Sequence, residues 1–221
     1  MEYDGIINCN LKQKVLQVLT SYLIGLGLII ITVLLIILPL DFIITKYLHF
    51  ESVKELIHQT QNKYVKYPFY ITVFIGPIIE ELLFRLCLIV NRKNISIFAG
   101  FFLHEILRRR FIKLNFHDEL YLYIILIGVF TFLLTWKFLT PTIINSIQKK
   151  QKWLVWISII FFGLIHITNI KILHWELALF YPFYVIPQMI MGYFITNLRL
   201  KYGFFWGLSL HSLFNFIAII I

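Results

Sequence analysis

Residues 21–40 form a run of twenty residues without one charged side chain. As a helix rising 1.5 Å per residue, such a run covers the roughly 30 Å hydrocarbon core of a bilayer. Comparable runs follow at 69–90, 119–139, 153–169, 177–198 and 204–221, and a weaker one at 95–107 contains His104 and Glu105. Of the 221 residues, 60% are hydrophobic and 14% charged, an excess beyond what a large soluble core requires. Backbone polar groups in lipid must be satisfied within the spanning segment, and alternating segments of about ten residues, the mark of a β-barrel, are absent. The expected fold is therefore all-α: a polytopic transmembrane helical bundle of about seven spans, between six and eight.

The net charge of +9 does not point to nucleic acid. The cations cluster between apolar runs, at Lys63/Lys66, Arg92/Lys93, Arg108–Arg110, Lys149/Lys150/Lys152 and Arg199/Lys201. Those are headgroup positions, so the bilayer is the partner that the basic balance implies. Seven spans with a cytoplasmic N-terminus put ten cations inside and nine outside, which leaves orientation open. The first twenty residues lack a signal-peptide cleavage pattern, and the run after them reads as a retained span of a multi-pass protein in the cell (plasma) membrane. Residues 1–68 are expected to supply an N-terminal span and a polar connector, whose part at 51–61 could lie flat at the interface. Residues 69–221 are expected to form the core domain. Cys9 and Cys87 fit neither a disulfide framework nor a metal spacing.

Ionisable side chains within spans are costly, and each is a functional candidate by default. The densest group is Pro77-Ile-Ile-Glu80-Glu81-Leu-Leu-Phe-Arg85. Adjacent intramembrane carboxylates repel unless one is neutralised. Arg85, four residues after Glu81, shares its helical face and can pair with it, while Glu80 points about 100° away. Glu80 is then either a general base or half of a structural ion pair with another helix. Pro77 kinks the helix or starts it. His166, in Phe162-Gly-Leu-Ile-His166, is either a packing histidine bonded to a neighbouring helix or a functional one. In His211-Ser-Leu-Phe-Asn215, two donors on one face can either hold a developing oxyanion or bond neighbouring helices.

Together these three segments resemble the CPBP family of intramembrane peptidases, the CAAX protease and bacteriocin-processing or self-immunity group that includes type II CAAX prenyl endopeptidases. Members carry Glu-Glu-x-x-x-Arg, Phe-x-x-x-His and His-x-x-x-Asn in that order on separate membrane helices. Gly192 and Tyr202-Gly203 also resemble the approach to the third motif. The resemblance implies an intramembrane endopeptidase acting on a peptide or lipidated protein. Glu80 with His166 would activate water, Glu81 and Arg85 would support the site, His211 and Asn215 would hold the oxyanion, and Phe162 would pack. No cofactor is required on this reading. The alternative is a zinc enzyme with Glu80, His166 and His211 as ligands. A different class, a non-catalytic membrane partner such as a self-immunity or scaffold protein, would keep the same residues for binding, and a transporter would use the carboxylates as a proton relay. The 77 positions between Arg85 and Phe162 depart from members whose second motif lies on the very next helix.

Other motifs fail on their own chemistry. His104-Glu105-Ile-Leu-Arg108 has Arg108 where a zincin needs its second histidine, so His104 and Glu105 read as packing or interfacial residues. Ser209 and His211 diverge by about 200° on a helix and cannot bond each other. His49, His58, His117, His174 and Glu176 fall in connectors or at a span's start.

Overall fold

The computed structural model describes residue 7 and residues 9–53, 68–112, 118–170 and 173–220. Among the described residues all regular structure is helical, with no strand. The amphipathic stretch expected at 51–61 lies mostly outside them. Among the described residues three helices are long and apolar enough to cross a membrane, Leu11–Tyr47, Leu120–Phe138 and Gln151–Asn169, and Phe204–Ile220 is a shorter apolar one. The chain divides into two compact units, one containing Ile79–Val155 and one built from Asp4–Ile78 and Trp156–Ile221.

In the second unit, α1 (Leu11–Tyr47) starts at a reciprocal cap. The Gln13 amide donates to the Asn10 side chain at 2.9 Å, and the Asn10 amide donates to the Gln13 side chain at 3.2 Å. The helix widens into a π turn at Val33–Ile37, just ahead of Pro39. A second π turn, Ile71–Ile75, stands in the same relation to Pro77 and leads into α2 (Gly76–Phe84). A proline ring clashes with the carbonyl four residues back, and widening the turn removes that clash. Pro77 stands in the first turn of that α-helix, as expected of a proline that starts one, and the chain enters it through the wider turn.

The run at 69–90 is not one helix. It leaves helical geometry at Arg85 (φ −125°, ψ −10°) and continues as a single 3₁₀ turn, Leu86–Leu88. The run at 177–198 is also broken. Pro182 and Pro187 occupy first turns, where a missing N–H costs nothing, so Tyr181–Tyr184 is a separate turn and α7 (Ile186–Tyr202) begins later.

In the first unit, α3 (Arg92–Ile112) packs against α4 (Asp118–Phe138) in antiparallel fashion. Gly100 and Gly128 bring the two backbones together, since a Cβ on Gly100 would stand 2.6 Å from the Gly128 carbonyl oxygen. A short helix, α5 (Pro141–Gln148), and then α6 (Gln151–Ile165) follow. His104 stacks on Phe101 and meets Tyr121 edge-on, while buried Glu105 accepts from Arg108 and Arg109. Two of the three arginines expected at headgroups are thus bonded to a carboxylate.

Among its described residues the second unit has two cores. Val18, Ile195, Leu198, Leu210 and Phe214 join α1 to α7 and α8 (Phe204–Ile220). Gly203 (φ 96°, ψ −177°) turns the chain between these last two helices in a conformation open only to glycine. The tight return places Phe204 over the Arg199 guanidinium at 4.8 Å and Gly207 against the Arg199 stem. Arg199 is 1% exposed, which corrects its expected headgroup position: α7 extends past it and α8 folds back over it. The other core gathers Ile37, Ile44, Val53, Ile170, Leu177, Tyr181 and Tyr184. Beside it Asp41 accepts from Ser52 Oγ (2.6 Å), the Val53 amide (2.9 Å) and Tyr184 Oη (3.0 Å), so it is a structural hub rather than the start of a solvated connector. His174 packs on Phe50, and Glu176 is exposed.

Candidate active site

Glu80 and Glu81 are consecutive on α2 and therefore project from different faces. Glu81 is fully buried, as is Arg85, and Arg85 Nη1 donates to Glu81 Oε1. The four-residue spacing accounts for this pairing, and the backbone supports it, because the Arg85 amide also donates to the Glu81 carbonyl at 3.1 Å. An uncompensated charge at such depth would be strongly unfavourable, so each member makes the other's burial tolerable. Glu80 is only partly buried and outside that pair. Downstream, Gln148 Nε2 donates to the Val90 carbonyl at 3.0 Å and Gln151 Nε2 to the Leu88 carbonyl at 2.7 Å, fastening the turn that follows Arg85.

The histidines belong to the other unit. His166 opens the 3₁₀ turn His166–Asn169 at the end of α6. His166 Nδ1 lies 2.7 Å from the Phe162 carbonyl oxygen. A carbonyl can only accept, so Nδ1 carries the proton in this bond. In the neutral ring Nε2 then holds the lone pair. The Phe162 ring, with no exposed surface, meets His166 edge-on at 5.0 Å and His211 edge-on at 5.6 Å between centroids. Phe162 is thus a buried wedge that sets the planes of both imidazoles. His211 itself is 1% exposed, and Ser209 turns away to bond the Phe205 carbonyl at 2.7 Å.

Asn215 shows what sequence reasoning missed. Its Nδ2 donates to the Thr72 carbonyl at 3.0 Å, across 143 residues of chain. In the π turn the Gly76 amide is given to Ile71, and the next residue is Pro77, which has no N–H. Neither backbone position within reach of the Thr72 oxygen can therefore donate to it, and Asn215 does so instead. The proline was the available signal. One hydrogen of the amide is committed to Thr72, and a second remains on the same nitrogen.

Phe162, His166, His211 and Asn215 are thus brought together in one unit, and Glu81 with Arg85 in the other, with Glu80 beside Glu81 on the same helix. Within neither unit, among the described residues, do three or more His, Cys, Asp or Glu side chains gather as a metal site would require. Cys9 and Cys87 are not joined in a disulfide.

A family model described as type II CAAX prenyl endopeptidase Rce1-like matches residues 63–217. The chain belongs to this Rce1-like family. The match covers every residue of the three motifs, from Glu80 to Asn215, and identifies the chain as a membrane protein of a peptidase family. No curated protein and no solved structure matches it.

Proposed function

We propose that the chain is a multi-pass intramembrane endopeptidase of the cell membrane. It hydrolyses a peptide bond in a membrane-associated peptide or protein, with a prenylated CAAX tail as the leading substrate class. Glu80, assisted by His166, removes a proton from water as its oxygen attacks the scissile carbonyl. Carbon–oxygen bond formation pushes the carbonyl electrons onto its oxygen. His211 and the second amide hydrogen of Asn215 stabilise that oxyanion. Collapse of the tetrahedral intermediate expels the amine, which takes the proton held by Glu80. Glu81 and Arg85 compensate each other and keep the carboxylate next to them in a defined helical turn.

The observation that carries this reading is the bond from His166 Nδ1 to the Phe162 carbonyl. It leaves Nε2 as the basic nitrogen of a ring whose plane is set by a buried phenylalanine. A packing histidine needs only one polar partner and no defined tautomer, whereas an assisting base needs both. The family match supports the peptidase class and the CAAX substrate. The proposed chemistry needs no resident metal. Its rival places zinc on Glu80, His166 and His211, where the ion would acidify the water.

The deciding experiment incubates the purified chain with prenylated and unprenylated CAAX-type peptides and follows products by mass spectrometry. Cleavage of the prenylated peptide is expected, falling about 10²-fold or more in Glu80→Gln. Wild-type turnover in Glu80→Gln removes Glu80 as the base. Tight binding of the peptides without any hydrolysis identifies a non-catalytic partner instead.

A further inference from the structure

The two ends of the α3/α4 pair are both basic in sequence, but they differ once folded. At the end where α3 closes, Glu105 accepts from Arg108 at 2.8 and 2.5 Å and from Arg109 at 3.0 Å, so two guanidiniums are bonded within the protein. At the opposite end stand Arg92 and Lys93 on the first turn of α3, Lys137 on the last turn of α4, and Lys149 and Lys150 between α5 and α6. No carboxylate can neutralise them from nearby in the chain, since residues 86–104 and 120–175 contain no Asp or Glu. Lys93, Lys137, Lys149 and Lys150 are all exposed.

This end is built, not merely composed. The Gln148 and Gln151 bonds to the Val90 and Leu88 carbonyls tie the lysine segment to the start of α3, and the Arg92 guanidinium lies 6.0 Å above the Trp136 ring of α4. Trp136, Phe138 and Trp153 are 42%, 64% and 72% exposed at the same end, an aromatic fringe beside the cations. Between them runs α5, capped by Thr140 and started by Pro141. Its Ile143, exposed, and its Ile144 and Ile147, partly exposed, form one apolar stripe, and no residue of the helix is fully buried. A short helix with a partly open apolar stripe and lysines at its end matches a surface that is apolar just below a layer of negative charge.

We propose that the α5–Lys150 segment is a docking surface for the anionic phospholipid headgroups of the cytoplasmic leaflet. The isoleucine stripe enters the acyl boundary, and Lys149 and Lys150 engage headgroup phosphates. This assigns the Arg92/Lys137 end of the unit to the cytoplasmic side, an orientation that cation counting leaves open at ten against nine. The assignment is independent of the proposed catalytic reading.

The full chain is reconstituted in nanodiscs of phosphatidylcholine with and without phosphatidylglycerol, and amide exchange of residues 141–153 is followed by mass spectrometry. Exchange is expected to slow about threefold or more when phosphatidylglycerol is present, and the difference to vanish in Lys149→Gln/Lys150→Gln and in the unmutated protein at high salt. Equal exchange in both lipids overturns the docking surface. In a second arm, Asn145→Cys in a Cys9→Ser/Cys87→Ser background with the parent's melting temperature is treated with an impermeant maleimide in vesicles of known sidedness. Labelling from the cytoplasmic face alone is expected, and labelling from the outer face overturns the orientation.

Discussion

Asn215 Nδ2 donates to the Thr72 carbonyl at 3.0 Å, and Thr72 lies five residues before Pro77, the one residue type that could not have donated in its place. The relation ties a residue of the third motif to the turn that leads into the Glu80–Glu81 helix. A buried carbonyl left without a donor costs about 1–3 kcal/mol. Asn215→Leu is therefore expected to destabilise the protein by about that amount while Pro77 is present. In a Pro77→Ala background, Gly76 or Ala at position 77 can reach the Thr72 oxygen, and most of the penalty should disappear. A double-mutant cycle read by thermal unfolding checks this. An equal loss in both backgrounds would mean that the bond to Thr72 is not what holds Asn215 there.

Glu81 and Arg85 are fully buried and paired. Removing one partner strands the other's charge, so Arg85→Leu should cost about 3–5 kcal/mol and lower both folded yield and activity. Glu81→Leu/Arg85→Leu should recover part of that stability, because no charge remains buried. The measurement is a denaturation series on the three variants. A fully stable Arg85→Leu protein lacking only activity would instead put Arg85 in contact with substrate.

The metal question has an operational answer. If Glu80 and His166 alone activate the water, purified protein should carry no stoichiometric zinc, and turnover should persist in EDTA or phenanthroline. Zinc near one per chain, with activity lost on chelation and regained on adding zinc back, would transfer Glu80, His166 and His211 to the role of ligands.

Two glycines should respond in opposite directions to the same substitution. A Cβ on Gly100 meets the Gly128 carbonyl oxygen at 2.6 Å, a backbone atom that moves only if α3 and α4 separate. Gly100→Ala should therefore destabilise by about 1–3 kcal/mol. Gly27, inside α1, has nothing within 4 Å of its would-be Cβ. Gly27→Ala should be neutral or stabilising by up to about 1 kcal/mol, through helix propensity alone. Thermal unfolding of both variants tests the contrast.

The sequence by itself determined what depends on composition and on neighbours within one helical turn. Uncharged runs dictated a helical membrane protein, because lipid leaves the backbone no other spanning partner. A spacing of four dictated that Arg85 returns to Glu81, and a spacing of two that Ser209 turns away from His211. The three motifs carried the family, since their order and residue types are legible without coordinates. Only the tertiary structure decided relations between distant segments. Arg199 looked like a headgroup cation until the turn at Gly203 laid Phe204 across it, and Asp41 looked like the start of a connector until Ser52, Val53 and Tyr184 closed on it. The apolar run at 69–90 gave no sign of breaking at Arg85, because hydropathy is blind to a helix end that is buried and bonded, whereas in the run at 177–198 Pro182 and Pro187 were the legible signal. The bond from Asn215 to Thr72 has the same origin. Pro77 announced that a carbonyl would lack a donor, but which side chain arrives 143 residues later is settled by how the helices pack, and no local pattern encodes that.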